Sequence, residues 1–572
     1  MTKSEKIKIK IDGKEFSCRE GETILQVALR NNIYIPSLCY HPDFPVKANC
    51  RVCVVELKGV QDLVTACSTK VDHGQEVLTN SNKVKKTRNL NIELIFSEHV
   101  QKCATCVWSV NCPLLKMARD YDIKVTRFED RKGSRKVYKF ANAVEVDGTQ
   151  CIDCRNCLDA CSLMQKINYL DLEGKGYHQE VIPVRDISID CIYCGQCALH
   201  CPVSAAQEQS EWRKVEKVIH NPKKTVIAQF APSIRVSVGE EFGLPQGKIF
   251  TEQVVSGLRA LGFDHVFDVN FAADITTMVE AEELLERVEE GGRMPLMTSC
   301  CPAWVKYLEF YHPDLIPHLT SSRSPHIHLG GVIKTYWAEK MKINPGNIEV
   351  VSIMPCTAKK FEAKRKEMKV KDGYPVDHVL TTREFAWMMK KNGINFGNLK
   401  NSQTDNPLGE YSGAAAIYGG SGGVMESALR TARALILKGK GRKKVEGDKI
   451  DFKEVRGFEG LKEAEFKIGK IKLRVLVVNG IGNVEKALEN LDKYDYIEVM
   501  TCPGGCIGGG GQPIPTNRKI REKRVQALYS IDKNKKLREA HKNEGVKEVL
   551  EWLKDRRLAY GVLHTKYKRR NK

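Results

Sequence analysis

The segments CIDCRNCLDAC (151–161) and CIYCGQCALHC (191–201) are two copies of C-x2-C-x2-C-x3-C. Nothing else in the chain restricts its folding as tightly. Thiols at this spacing form the bacterial two-cluster run, in which the fourth cysteine of each copy ligates the other cluster. One [4Fe–4S] cluster is therefore expected on Cys151, Cys154, Cys157 and Cys201, and the other on Cys191, Cys194, Cys197 and Cys161. The first copy ends in Cys-Ser where Cys-Pro is usual.

Two further groups precede this module. KIKIKIDGKEFSCREG reads as period-two strands around an Asp-Gly turn, and ETILQVALRNN as an amphipathic helix. Behind them Cys39, Cys50, Cys53 and Cys67 are spaced C-x10-C-x2-C-x13-C. Four thiolates on a loop-rich scaffold suit a [2Fe–2S] cluster, although the spacing departs from plant-type C-x4-C-x2-C and a C-x2-C pair also suits zinc. Cys18 lies in a strand and is expected to be a small buried hydrophobe. His99, Cys103, Cys106 and Cys112 are spaced H-x3-C-x2-C-x5-C, which by itself suits zinc or a [4Fe–4S] cluster. A neutral histidine ligand would raise such a cluster's potential. Beside a two-cluster module zinc becomes the weaker option at both sites, because neighbouring clusters make an electron wire. The first 215 residues are read as carrying electrons.

At 572 residues the chain exceeds one core, and several domains are expected. Its 21 cysteines come in tight clusters, as metal ligands do where disulfides do not persist. MTKSEKIKIK lacks the apolar run of a signal peptide, and the sequence has no apolar stretch of membrane-spanning length. A cytoplasmic protein without a membrane span is expected. The formal net charge is +20, spread over KVKKTR (83–88), RKGSRKVYK (131–139), KGKGRKK (438–444) and KYKRR near the end. These runs are read as solvated surface; with no zinc finger or RNA-recognition signature, nucleic acid is excluded and acidic partners are favoured.

From about residue 216 the texture becomes α/β: KTVIAQFAP, HVFDVNF, IEVVSIMP and LRVLVVNG read as buried strands between amphipathic helices. Five cysteines remain, in TSCCPAW (298–304), IMPCTAKK (353–360) and EVMTCPGGCIGGGGQP (498–513). Adjacent Cys300 and Cys301 point to opposite faces of an extended segment and can hardly serve one site in the same way. The glycine run would let backbone approach a bulky object closely. GAAAIYGGSGGVMES lacks the order of a dinucleotide loop.

These three segments resemble the signature motifs of the [FeFe]-hydrogenases, and the front half is similar to the family's long clostridial-type members. The resemblance covers essentially the whole chain. It implies that Cys301, Cys356, Cys502 and Cys506 hold the [4Fe–4S] part of an H-cluster, with Cys506 bridging to a two-iron unit that carries CO, cyanide and an azadithiolate. Cys300 would then be left unligated to pass protons. Lys359 would serve one cyanide, and Ser233 beside Pro232 the other, while Met354 and Met500 would pack against the unit.

The same resemblance implies a proton exit along TTMVEAEELLERVEEGG (276–292), through Glu280 and Glu283 to Arg287, with the hydroxyl of Thr320 between the two carboxylates. From spacing alone this stripe would be a solvated acidic face. Three positions depart from the best-known members: His326 replaces a glutamine, Tyr418 a phenylalanine and Thr501 an alanine. An imidazole and two added hydroxyls there are expected to shift the cluster's potential or its direction of turnover.

The expected fold class is multidomain α+β and α/β, with ferredoxin-like accessory iron–sulfur domains followed by a large α/β H-cluster domain. The boundaries are 1–82 for [2Fe–2S], 83–130 for His/Cys3, 131–213 for the two-[4Fe–4S] module and 214–572 for the catalytic domain. The expected activity is that of a ferredoxin hydrogenase, with one [2Fe–2S] and three accessory [4Fe–4S] clusters. Its expected partners are ferredoxin or flavodoxin and maturation proteins. A hydrogen-sensing or electron-transfer protein is the alternative; the front also resembles the large iron–sulfur subunit of complex I. The last 60 residues are read as helices wrapping the catalytic domain, ending in a mobile tail, HTKYKRRNK.

Overall fold

The computed structural model describes residues 7–571 except 105, 107, 110, 372, 440–451 and 469–470, so most of the KGKGRKK run lies outside the described residues. At the front, Ile7–Ile11 and Lys14–Cys18 form a hairpin whose turn residues, Asp12 and Gly13, both take positive φ. That is the left-handed pair a tight hairpin turn demands. Parallel pairing of Ile7–Ile11 with Glu76–Leu78 extends this to a five-stranded sheet, against which the helix Ile24–Arg30 packs, closed by a capping box of Thr23 and Gln26. Cys18 is buried in that core.

The ferredoxin module pairs Val137–Phe140, Val144–Asp147 and Ala206–Glu208 in one sheet, and Leu170–Glu173 with Glu180–Pro183 in a hairpin. Its two cysteine loops repeat one backbone course. Asp153 and Arg155 in the first copy, Tyr193 and Gly195 in the second, take left-handed φ. The turn lets Asp153 N donate to Cys151 Sγ and Tyr193 N to Cys191 Sγ, each at 3.3 Å. Arginine occupies in one copy the position that glycine holds in the other, so φ alone does not require the glycine. A Cβ on Gly195 would strike Thr357 of the catalytic half.

Two four-stranded sheets build the catalytic half. In the first, His265–Asp268, Thr225–Phe230, Ile348–Met354 and His378–Thr381 are all parallel. In the second, Leu296–Met297, Tyr496–Met500 and Ile471–Asn479 run parallel, and Leu461–Ile468 adds antiparallel. Parallel strands buried on both faces read as continuous β-branched runs, hence their visibility in the sequence. HVFDVNF is only half strand. Asp268 accepts from Asn270 N and caps a helix, Val269–Glu290, that starts well before the stretch expected.

Two expectations fail. The basic runs are not uniformly solvated: Arg88 is 1 % exposed and bonds Val52 O, Val54 O and the Tyr121 hydroxyl, and Lys132 is buried against Glu98, Asp153 and Cys151 O. Nor is the C-terminal tail loose. Arg570 pairs with Glu309 and Glu367, Lys568 N donates to Glu309, and Thr565 N bonds Ser321 O. Its cations meet carboxylates already buried beneath it. Among the described residues no helix is long and apolar enough to cross a membrane.

Candidate active site

Ligands of open α/β sheets gather at the carboxyl ends of the strands, and both sheets direct those ends at one cavity. Pro232 follows Thr225–Phe230, Met354 ends Ile348–Met354, Met500 ends Tyr496–Met500, and Cys300 follows Leu296–Met297. All four residues line the cavity, together with Cys301, Cys356, Cys502, Cys506, Lys359, Tyr418 and Thr501. Three distant motifs thus meet. Cys301 is the N-cap residue of the helix Pro302–Tyr311, which follows it directly.

The glycine run explains itself differently from expectation. A Cβ on Gly509 would hit Pro355 O, one on Gly510 would hit the Cys194 carbonyl, and one on Gly511 would hit Thr381. The glycines let the third motif press against the second motif and against a ferredoxin cysteine loop.

Lys359 Nζ donates to Cys300 O at 2.9 Å and to Glu362 Oε2 at 2.8 Å. Burial opposes its charge, but Glu362 outweighs burial and raises its pKa. Glu362 is held down at about 2 by Lys359 and His326 against the same burial. Sequence reasoning missed Glu362; its spacing of three residues from Lys359 on the helix Ala358–Ala363 was the available signal. His326 is not among the lining residues. Its Nε2 lies 2.7 Å from Glu362 Oε2 and its Nδ1 3.2 Å from Ser352 Oγ. Burial and then Lys359 lower its pKa to about 4, so it is neutral at physiological pH. Ser233 Oγ is buried and has no hydrogen-bond partner.

Glu280 is 1 % exposed, which overturns the solvated-face reading of its stripe. Both its carboxylate oxygens lack a partner, and burial, then Glu283 and Glu498, raise its pKa well above the usual carboxylate range. Burial and then the Glu280 carboxylate push the Cys300 thiol upward likewise. Farther out, Thr320 Oγ1 donates to Glu283 Oε2 at 2.6 Å and Arg287 pairs with Glu283 at 2.6 Å. Thr320 is set there by its N–H on Met297 O. Ser321 also donates to Glu283 and lies 2.8 Å from His564 Nδ1, at a cleft of about 780 Å³. Tyr418 OH lies 2.8 Å from Thr277 Oγ1.

The front cysteines gather in four groups. Cys39 contacts Cys50 and Cys53 contacts Cys67, with Cys39 in the field of the second pair. Cys103, Cys106 and Cys112 lie together, and His99 Nδ1 is 3.1 Å from Gln150 O. Cys201 lies with Cys151, Cys154 and Cys157, and Cys161 with Cys191, Cys194 and Cys197. Three of these groups adjoin in series towards the cavity: Cys39 is near Cys154, Cys197 near Cys201, and Cys194 near Cys301 and Cys502. The seam is held by His41 on Thr516 O, Asp43 on Arg521, and Gln196 on Gly508 O.

Convergent thiols, backbone N–H groups aimed at sulfur and an orphaned Ser233 hydroxyl fit iron–sulfur groups and a polar-ligated metal unit. The fold and site define an iron–sulfur oxidoreductase. Residues 224–510 match the family described as "Iron only hydrogenase large subunit, C-terminal domain". Residues 4–82 match "2Fe-2S iron-sulfur cluster binding domain", 88–127 "NADH-ubiquinone oxidoreductase-G iron-sulfur binding region", 150–205 "4Fe-4S dicluster domain" and 518–570 "Iron hydrogenase small subunit". "NADP-reducing hydrogenase subunit HndD" of Solidesulfovibrio fructosivorans is 38 % identical over 99 % of each chain. "Iron hydrogenase 1" of Clostridium pasteurianum is 38 % identical over 98 % of this chain and 99 % of its own. The structure of apo [FeFe]-hydrogenase HydA1 from Chlamydomonas reinhardtii superimposes with a TM-score of 0.55 at 38 % identity, covering 62 % of this chain and 98 % of that one. The chain belongs to the iron-only, or [FeFe]-, hydrogenase family. It is a hydrogenase with accessory [2Fe–2S] and [4Fe–4S] domains.

Proposed function

We propose that this hydrogenase interconverts H2 with protons and electrons in the cytoplasm, exchanging the electrons with ferredoxin or flavodoxin. The observation that supports the reading most is one cavity lined by Cys301, Cys356, Cys502 and Cys506 with the Cys300 thiol beside them. Those four cysteines would hold the cubane of the H-cluster, and Cys506 would also bridge to its two-iron unit. When bound, that unit, with CO, cyanide and azadithiolate, supplies an open metal position and a pendant base, the two things heterolytic H2 chemistry needs.

The chain's own residues anchor, exclude water and move protons. Lys359 and Ser233, next to Pro232, are donors for the cyanides; Met354 and Met500 are unreactive walls. Cys300 carries the proton to Glu280. Burial favours the protonated form of both groups, so Glu280 passes its own proton outward before it takes one from Cys300. Thr320 and Glu283 take it to the outer cleft, where Arg287 holds the Glu283 carboxylate. Neither Glu280 carboxylate oxygen has a hydrogen-bond partner among the described residues, and both suit a bridging water.

Electrons would enter through a [2Fe–2S] cluster on Cys39, Cys50, Cys53 and Cys67 and a His/Cys3 cluster on His99, Cys103, Cys106 and Cys112. They would pass to the two module clusters and then to Cys301. The chain divides at residues 82, 130 and 213, and maturation proteins load the catalytic site. A second reading, electron exchange through a partner subunit that uses NADP, is favoured by the likeness to HndD.

Purified, matured protein, assayed alone and with the subunits that co-purify with it, tests both. Hydrogen evolution with reduced ferredoxin and none with NADPH is expected, together with cyanide and carbon monoxide stretches in the infrared. Absence of those stretches after maturation would end the enzyme reading; turnover with NADPH and not ferredoxin would replace the partner.

A further inference from the structure

Where the ferredoxin module meets the catalytic half, two buried side chains make contacts that anchoring does not require. Thr501 immediately precedes Cys502, is 1 % exposed, and sets its Oγ1 3.2 Å from Cys301 Sγ. Its carbonyl oxygen accepts from Gln165 Nε2 at 3.2 Å. Gln165 is equally buried and lies four residues beyond Cys161, just past the π-helical turn Ala160–Met164. Its Oε1 has no partner, so the side chain is not held there by satisfying both ends of its amide. The same amide also reaches the Cys194 sulfur. A hydroxyl and a carboxamide therefore link a sulfur of one cysteine group to a sulfur of the next.

We propose that Thr501 and Gln165 form a hydrogen-bonded junction that sets the potential step between the catalytic cubane and the accessory cluster beside it. This rests on the reading of Cys301 and Cys194 as iron ligands. A sulfur bound to iron carries no proton, so the Thr501 hydroxyl is then the donor to Cys301 and the Gln165 N–H the donor to Cys194. Donation to a cluster sulfur withdraws electron density and favours the reduced, more negative state, which raises the potential. Each side chain acts on its own cluster, while the bond from Gln165 to the Thr501 carbonyl holds the two in register. Because that bond uses backbone, it survives any change to the Thr501 side chain. The two side chains are positioning residues, and each is separately adjustable.

The test is an EPR-monitored redox titration of the full-length protein carrying its iron–sulfur clusters. Thr501→Val keeps the shape and deletes the hydroxyl; it should shift the catalytic cubane's midpoint downward and leave the accessory cluster in place. Thr501→Ser keeps the hydroxyl and should titrate with wild type. Gln165→Leu should lower only the accessory cluster. A full complement of cluster signals with unmoved midpoints in Thr501→Val would overturn the junction alone. A spectrum unchanged by Cys301→Ser would overturn the ligand assignment and the junction with it.

Discussion

Glu362 Oε2 accepts from Lys359 Nζ at 2.8 Å and lies 2.7 Å from His326 Nε2, so one buried oxygen holds both nitrogens. Breaking a buried pair from one side leaves an uncompensated charge, costing about 3–5 kcal/mol. Glu362→Gln should therefore unfold at markedly lower denaturant than wild type, while the double variant Lys359→Met/Glu362→Leu should recover much of the loss. Equal midpoints for the Glu362→Gln variant and wild type would contradict the pairing.

His326 has an ordinary imidazole's pKa of about 6.5 when unfolded and about 4 when folded. The folded state then binds fewer protons across that window, so stability is complete above the upper value and is lost as pH falls through it. Two and a half units correspond to roughly 3 kcal/mol, of which about 60 % is lost by pH 5. Urea unfolding at pH 7.5 and pH 5 should show a smaller decline for His326→Gln; identical declines would count against a buried neutral ring.

Cys300→Ala should retain iron yet lose turnover by about 10²-fold or more, the scale of a positioned acid or base. Iron analysis with hydrogen evolution from reduced methyl viologen reads both. Full activity would remove Cys300 from the proton path.

Thr320→Val deletes the hydroxyl on Glu283 and should slow turnover about 10- to 100-fold, with Thr320→Ser close to wild type. Isotope-dependent rates in D2O should grow in the valine variant. If valine and serine behave alike, Thr320 is a packing residue.

Glu309 accepts from Arg365, Arg570 and Lys568 N. Arg570→Ala removes a partly exposed partner and should cost about 1 kcal/mol, whereas Arg365→Ala, a buried one, should cost about 3–5 kcal/mol. Thermal unfolding ranks them; the reverse order would refute this account of the tail.

What was legible followed from local pattern. Cysteine spacing, period-two strands and the Asp12–Gly13 turn depend on near neighbours and could be read directly. Arg88, Glu280 and Arg570 could not, because their charge is matched or isolated by partners far along the chain, and a run of lysines or glutamates looks the same on either side of a protein surface. His326 could be placed near the motifs by resemblance, but its neutrality depends on Glu362 and on burial, which spacing does not record. The glycines of the third motif showed that something approaches closely; only the fold shows that it is Pro355 and the Cys194 loop.

That close approach bears on swapping modules between relatives. Gly195, Thr357 and Gly510 interlock without space for a methyl group, so the front and back halves share a wall instead of a tether. A chimera that imports a foreign electron-carrying half must import a compatible surface at these three positions, or its last relay centre will sit displaced from the pocket it feeds.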